Sequence, residues 1–355
     1  MTPDGPASEN DDLNQPEEPT HSLEGEEKGP EPSSLERRSI DTRSFYIQSG
    51  AVLVATIPSL ADVVACLGDW PVIGQSDASS DWTVRGEAVR VEFEPELRGF
   101  IEVDIMARPW PDDCGESSSD RRLFRAWGAG MLGPAVYPGA LQRAMEQSWR
   151  WPDGRVVPAE HQAVLRLRLG YQPLATSAGE QLQRPTTDPV VELEALTRLA
   201  QRLLDLPGAI CWFNPNGEAV LDQASLLQTT RFSDSRNIPP LDAWCNLRVF
   251  SLPDGRTMMD TVGHAQLGLP DLEAWFDGAK TPPADIDQFL RDVSVYLLEH
   301  GSVIDDDDLL DGPGPVRWRA ELAVASQCGP RRSVLRLTPE VVTEAPSSTD
   351  FGRSE

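Results

Sequence analysis

The chain has 355 residues, 39% of them apolar, and its 57 acidic against 31 basic side chains give a formal charge of −26. A core of that size serves one large domain or two modest ones, and the acidic excess repels nucleic-acid backbones and anionic membrane surfaces. The densest basic stretches are only pairs, such as Arg121 with Arg122 and Arg331 with Arg332, so no local patch reverses that field.

Residues 1 to 43 hold twelve acidic and four basic side chains among Pro, Ser and Gly, without apolar periodicity. Such a segment cannot bury enough surface to offset its ordering entropy, so a disordered acidic tail is expected. No apolar run reaches the roughly 18 residues that a bilayer requires. The opening residues also lack the basic and then apolar regions of a secretory signal. The expectation is therefore a cytoplasmic protein with no membrane or nucleic-acid partner.

From 44 to 173 the pattern alternates strand and helix. "AVLVAT" reads as a buried strand, and "SLADVVACLGDW" as a helix with Ser59 at its N-cap. Period-two alternation marks strands in "WTVRGEAVRVEFEP" and "GFIEVDIMARPW". A loop over 111 to 120 precedes a short helix in "PGALQRAMEQSWRW", and "AVLRLRLGY" reads as a strand with its arginines on an outer, solvated face. A polar connection, 174 to 188, divides the chain into two halves.

The second half, 189 to 340, starts with a helix capped by Asp188 and Pro189. Its apolar residues Val191, Leu193, Leu196, Leu199, Leu203 and Leu206 recur at helical spacing before Pro207–Gly208 stops it. "AICWFN" is a strand, and Asn216–Gly217 in "WFNPNGEAVL" signals a hairpin turn. Strands follow in "WCNLRVFSL" and "TMMDTVG", then a helix in "DIDQFLRDVSVYLLEHG" that ends at Gly301, then strands in "VRWRAELAVAS" and "SVLRLTP". Residues 341 to 355 form a second disordered tail. The expected fold is α+β: two similar halves of mainly antiparallel sheet with packed helices, between disordered acidic tails.

His264 has Asp271 and Glu273 close behind it, and a histidine oriented by a carboxylate can serve as a general base. Gly263, Gly268 and Pro270 nevertheless mark a strand turning out of a sheet, and no nucleophile elbow accompanies them. His161 and His264 could join a carboxylate around a metal, but no HExxH or other short-spaced pair is present. His300 closes a helix, where a cation near the last carbonyls is favoured.

In "IDDDDLLDGPG" an EF-hand loop begun at Asp307 would put Leu309 and Trp318 where oxygen ligands are required. That leaves Asp305, Asp307 and Asp311 as candidates for a looser cation site, set against a solvated acidic turn. The glycines of "WGAGMLGP" lack the Gly-Lys-Ser/Thr ending of a phosphate loop. Cys66, Cys114, Cys211, Cys245 and Cys328 show no paired spacing and read as reduced thiols. Ten tryptophans serve the core, or a recognition surface if some are exposed. No cofactor is implied.

Four stretches resemble one known family: "AWGAGMLGPAVYPGALQRAMEQSW", "LTRLAQRLLDLPGAICWFNPNGEAVL", "MMDTVGHAQLGLPDLEAWF" and "VSVYLLEHGSVIDDDDLLDGPGPVRW". It is the bacterial family of domain of unknown function 4261, over about residues 45 to 340, although "DDDDLLDGPG" is more acidic than the turn expected there. The resemblance implies a cytoplasmic bacterial protein and brings no catalytic residues with it. Residues and resemblance together lead to a non-catalytic binding protein that protects against or regulates a basic protein partner. The alternative is a hydrolase using His264 with Asp271 or Glu273, and a third possibility is an assembly component that makes contact through its tryptophans.

Overall fold

Val52 and Val54 point to one side of β1 (Gln48–Val54) and Ala51 and Leu53 to the other, and all four are buried. Such a strand belongs at the centre of a sheet covered on both faces. The computed structural model describes residues 46–114, 120–172, 187–323 and 328–340; the expected tails and nearly all of the 174–188 connection lie outside the described residues.

The first sheet comprises β1, β2 (Val72–Ser76), β3 (Glu87–Phe93), β4 (Gly99–Met106), β5 (Ala163–Tyr171), β6 (Ala209–Asn214) and β7 (Ala219–Leu221). Their order is β2-β3-β4-β5-β1-β6-β7, with every neighbouring pair antiparallel. One face packs on α1 (Leu60–Cys66) and α4 (Pro189–Leu203) through Val103, Leu165, Leu167, Leu196 and Leu199. On the other face, Leu53, Val164 and Phe213 meet Trp110, Trp127 and Trp151 beside α3 (Ala140–Glu146). The α2 helix (Asp120–Gly128) precedes α3, and α5 (Gln223–Asp234) and α6 (Leu241–Trp244) follow β7.

The second sheet has the order β11-β12-β13-β10-β9-β8. Its strands are β8 (Asn246–Ser251), β9 (Thr257–Val262), β10 (Asp271–Phe276), β11 (Leu309–Asp311), β12 (Arg317–Ala323) and β13 (Val334–Pro339). Only β10 and β13 run parallel. Leu272, Ala274, Phe276, Leu335 and Leu337 face Ile286, Leu290 and Leu297 of α7 (Pro283–His300). The protein is thus α+β, with two mainly antiparallel sheets and seven α-helices among the described residues.

The sheets divide between β7 and β8, downstream of the 174–188 connection. Pairing of β6 with β1 puts Trp212 opposite Val52 and Phe213 opposite Ala51. The unbroken apolar run of β6 therefore needs cover on both faces, which the centre of the first sheet provides.

Arg166 and Arg168 are not solvated, a correction to the reading of "LRLRL" as having an outer face. They are 2% and 1% exposed, opposite Asp104 and Glu102 on β4, both fully buried. Arg166 holds Asp104 with two parallel bonds (3.1 and 2.5 Å), and Arg168 meets Glu102 at 2.9 Å. Further guanidinium N–H groups donate to the carbonyls of Trp82, Thr83 and Val84. These carbonyls roof the arginines, so the stretch over 82–86 is a loop and β3 begins only at Glu87.

Six of the ten tryptophans, Trp110, Trp127, Trp151, Trp212, Trp244 and Trp318, are buried, whereas Trp149 is 55% exposed. A contact surface built mainly from tryptophan is therefore not what the fold presents.

Candidate functional site

The stretch around His264 joins the two sheets. After β9, Gly263 takes φ +122°, a short 3-10 turn spans His264–Leu267, and β10 then returns to the sheet. A Cβ at Gly263 would lie 2.7 Å from the Gly217 Cα and 2.9 Å from the Trp244 carbonyl oxygen, so only glycine allows this approach. Gln266 donates to the carbonyls of Trp244 and Gly263, its own carbonyl accepts from Gln48, and its side-chain oxygen accepts from Asn214.

Within this turn the proposed base and its acids have other partners. His264 is 2% exposed, and its Nδ1 lies 3.0 Å from the Pro270 carbonyl, to which a protonated Nδ1 donates. Asp271 accepts the His264 backbone N–H (3.0 Å) and the Thr261 hydroxyl, and its second oxygen accepts from Arg332 (2.8 Å). Glu273 accepts from Arg336 and from the Trp275 indole. The space beside His264 measures about 20 Å³, enough for one water and not for a substrate. Asp271 lies beside the histidine yet orients its backbone rather than its ring, and Glu273 is turned to a different partner.

Burial lowers the pKa of His264, outweighing Asp271 and the Pro270 bond, which act the other way. Burial also lowers that of His161, against its bond to the Pro158 carbonyl and the charge of Asp112. The His161 ring is fully engaged: Nε2 accepts from the Trp110 backbone N–H at 2.7 Å, and Nδ1 lies 2.6 Å from the Pro158 carbonyl. Both histidines are held neutral in the fold. The unfolded chain binds their protons more readily, so their contribution is complete above the unfolded pKa of about 6.5 and is lost as pH falls through the lower folded values. Urea titrations between pH 7 and pH 5 should show stability falling by at most about 1.4 kcal/mol per pH unit per histidine. The His264→Gln variant should have a shallower slope.

Sequence reasoning missed the charged layer around this turn. Across the second sheet, Arg248, Asp260, Glu273, Arg336 and Glu321 stand in one register row. Arg248 holds Asp260 (2.9 and 2.7 Å) and reaches Glu218 in the turn between β6 and β7 of the first sheet (3.1 Å), which also accepts from Arg143 of α3. Burial raises the Glu218 pKa against the pull of both arginines. Such a network fixes the sheets together. Its only local signal was the alternation of charged with apolar residues in each strand.

The acidic turn behaves differently. Asp307 and Asp311 each lie 3.0 Å from an arginine, Arg319 and Arg317 respectively. The Asp305 backbone N–H donates to Asp308, and Asp306 accepts the Leu322 N–H. These acids fasten the turn to β12, and among the described residues no three His, Cys, Asp or Glu side chains are grouped to hold a metal.

Between this turn and α7 runs an open groove of about 1020 Å³. Phe289, Val293, Tyr296, Val303, Ile304 and Leu310 form its apolar lining, and Asp285, Asp292, Asp308 and Asp311 its acidic part. No Lys, Arg or His lines it. Tyr296, Val303 and Leu309, which also line it, are 45%, 48% and 40% exposed. Apolar surface thus stays open beside four carboxylates, of which only Asp311 has an arginine partner among the described residues, and this makes the groove the candidate site.

Residues 260–338 match the domain of unknown function DUF4261. The matched segment begins at Asp260 in β9, ends in β13 and contains α7, the acidic turn and the whole groove. This is narrower than the span of 45 to 340 expected from the four quoted stretches, since the two N-terminal ones lie outside it. No curated protein and no solved structure matches the chain. Among the described residues no helix is long and apolar enough to cross a membrane.

Proposed function

We propose that the protein is a non-catalytic interaction module that binds a basic protein partner and shields or regulates it, in the cytoplasm of a bacterium. The groove between α7 and the acidic turn supports this reading, because four aspartates and no cationic side chain line an accessible apolar trough. A basic partner would find both charge complementarity and apolar area along this groove, the two ingredients of specific interfaces. The net charge of −26 would also speed its encounter with such a partner, an effect that salt screens.

The test is affinity capture by the full chain from its own lysate over a salt series, beside the double variant Asp285→Asn/Asp292→Asn. A basic protein should be retained by the wild type and released as salt rises. The variant should bind it roughly tenfold more weakly at low salt, about 1.4 kcal/mol for the two charges. Retention that ignores salt and both substitutions would refute the reading. The His264→Gln variant should bind as the wild type does, because that side chain lies outside the groove.

A further inference from the structure

The groove-facing side of α7 has a regular pattern. Asp285, Phe289, Asp292 and Tyr296 all line the groove and recur at spacings of four, three and four residues, the seam of a paired helix. Along that seam acid and aromatic alternate, so the two aspartates are seven residues apart, as are the two aromatics. The sheet-facing side of the same helix, with Ile286, Leu290 and Leu297, is already packed in the core, and so is most of Phe289, which is 7% exposed and meets the Trp318 ring, whereas Tyr296 is 45% exposed. The seam spans Asp285 to Tyr296, about 16 Å or three helical turns.

We infer that the groove accepts an amphipathic helix from the partner, laid along α7, with basic residues seven apart alternating with apolar residues seven apart. This rests on the proposed basic partner and adds its form. Charge complementarity selects the occupant: lysine or arginine opposite Asp285 and Asp292, and aliphatic side chains against the exposed Tyr296 ring and the small part of Phe289 left open to the groove. Among the described residues, the only ion pair made by the four groove aspartates is that of Asp311 with Arg317; Asp292 accepts one bond from the neutral Gln288 (2.7 Å), so both seam acids keep a charge that no cation pairs. The acidic N-terminal residues of the chain itself have the wrong charge for this seat. An added strand is less suited, because edge strand β11 is only three residues long and offers few backbone groups for pairing.

Three labelled synthetic peptides of about 16 residues, roughly four and a half turns, test this against the full chain by fluorescence anisotropy. One carries leucine and lysine in the pattern above, one has the same composition scrambled, and one is the patterned peptide interrupted by proline. The patterned peptide should bind at least about tenfold more tightly than either control, since only it can form the seam. Its binding should weaken with salt, and weaken about tenfold with Tyr296→Ala, which removes the apolar contact at a position 45% exposed without changing the charge. Equal binding of the patterned and scrambled or proline peptides, if salt-sensitive and weakened by Asp292→Asn, would overturn the helical occupant and leave the basic-partner reading standing. Absence of binding by all three would overturn both. A dimer of the chain that Tyr296→Ala dissociates would assign the groove to a second copy and also overturn the inference.

Discussion

Replacing Asp104 with alanine is expected to lower the unfolding free energy by about 3–5 kcal/mol, a large part of the stability of an ordinary domain. Asp104 is fully buried and accepts from Arg166 (2.5 and 3.1 Å) and from the Gly86 backbone N–H (2.7 Å), and Arg168 lies 3.0 Å away. Its removal leaves two guanidinium groups, each no more than 2% exposed, with one carboxylate fewer. The cost is that of unpaired buried charge, not the net worth of the pair. The double variant Asp104→Leu/Arg166→Met should therefore recover much of the loss. Urea unfolding with an unchanged m-value checks both.

The same group gives a pH signature. Burial alone would raise the Asp104 pKa, but Arg166, Arg168 and the hydrogen bonds outweigh it and hold the carboxyl below the usual range. A carboxyl depressed in the fold contributes stability that is complete above its unfolded pKa of about 3.9 and lost as pH falls through the lower folded value. Wild-type stability should therefore decline below about pH 4 by a component that Asp104→Asn lacks.

Gly217→Ala should cost about 3 kcal/mol, at the upper end for overpacking. A Cβ there would stand 1.6 Å from the Trp244 carbonyl oxygen and 2.6 Å from its carbon. These are backbone atoms and cannot swing away, so the β6–β7 turn would have to part from the segment leading into the second sheet. Gly74→Ala on edge strand β2, where nothing lies within 4 Å, should change stability by less than about 0.5 kcal/mol. Similar losses at the two sites in thermal or urea melts would show that the hairpin contact does not join the sheets.

Local signals in the sequence carried through where one element decides the outcome. Ser59 caps α1 with a full capping box to Asp62, Asp188 and Pro189 open α4, and Gly301 ends α7. Strand β10 was missed because "DLEAWF" follows a Gly-Pro-rich turn and alternates acid with apolar residues, Asp271 and Glu273 being buried on one face and Leu272 and Ala274 on the other. The buried arginines were misread for a related reason. The partners of Arg166 and Arg168 on β4 lie more than sixty residues away, and alternation alone cannot distinguish water from a second charged row. The groove was illegible as a site because its two walls come from separate elements. The Asp-Phe-Asp-Tyr seam on α7 was nevertheless present in the spacing of residues 285 to 296.

A photoreactive side chain placed at position 296 of the full chain, with one at Val156 (66% exposed) as the control, tests the groove most directly in the protein's own lysate. The expected result is a basic protein attached at 296 and not at 156, in a yield that falls as salt rises. Equal attachment at both positions, or an adduct at 296 that is acidic or indifferent to salt, would contradict the assignment of this groove to a basic partner.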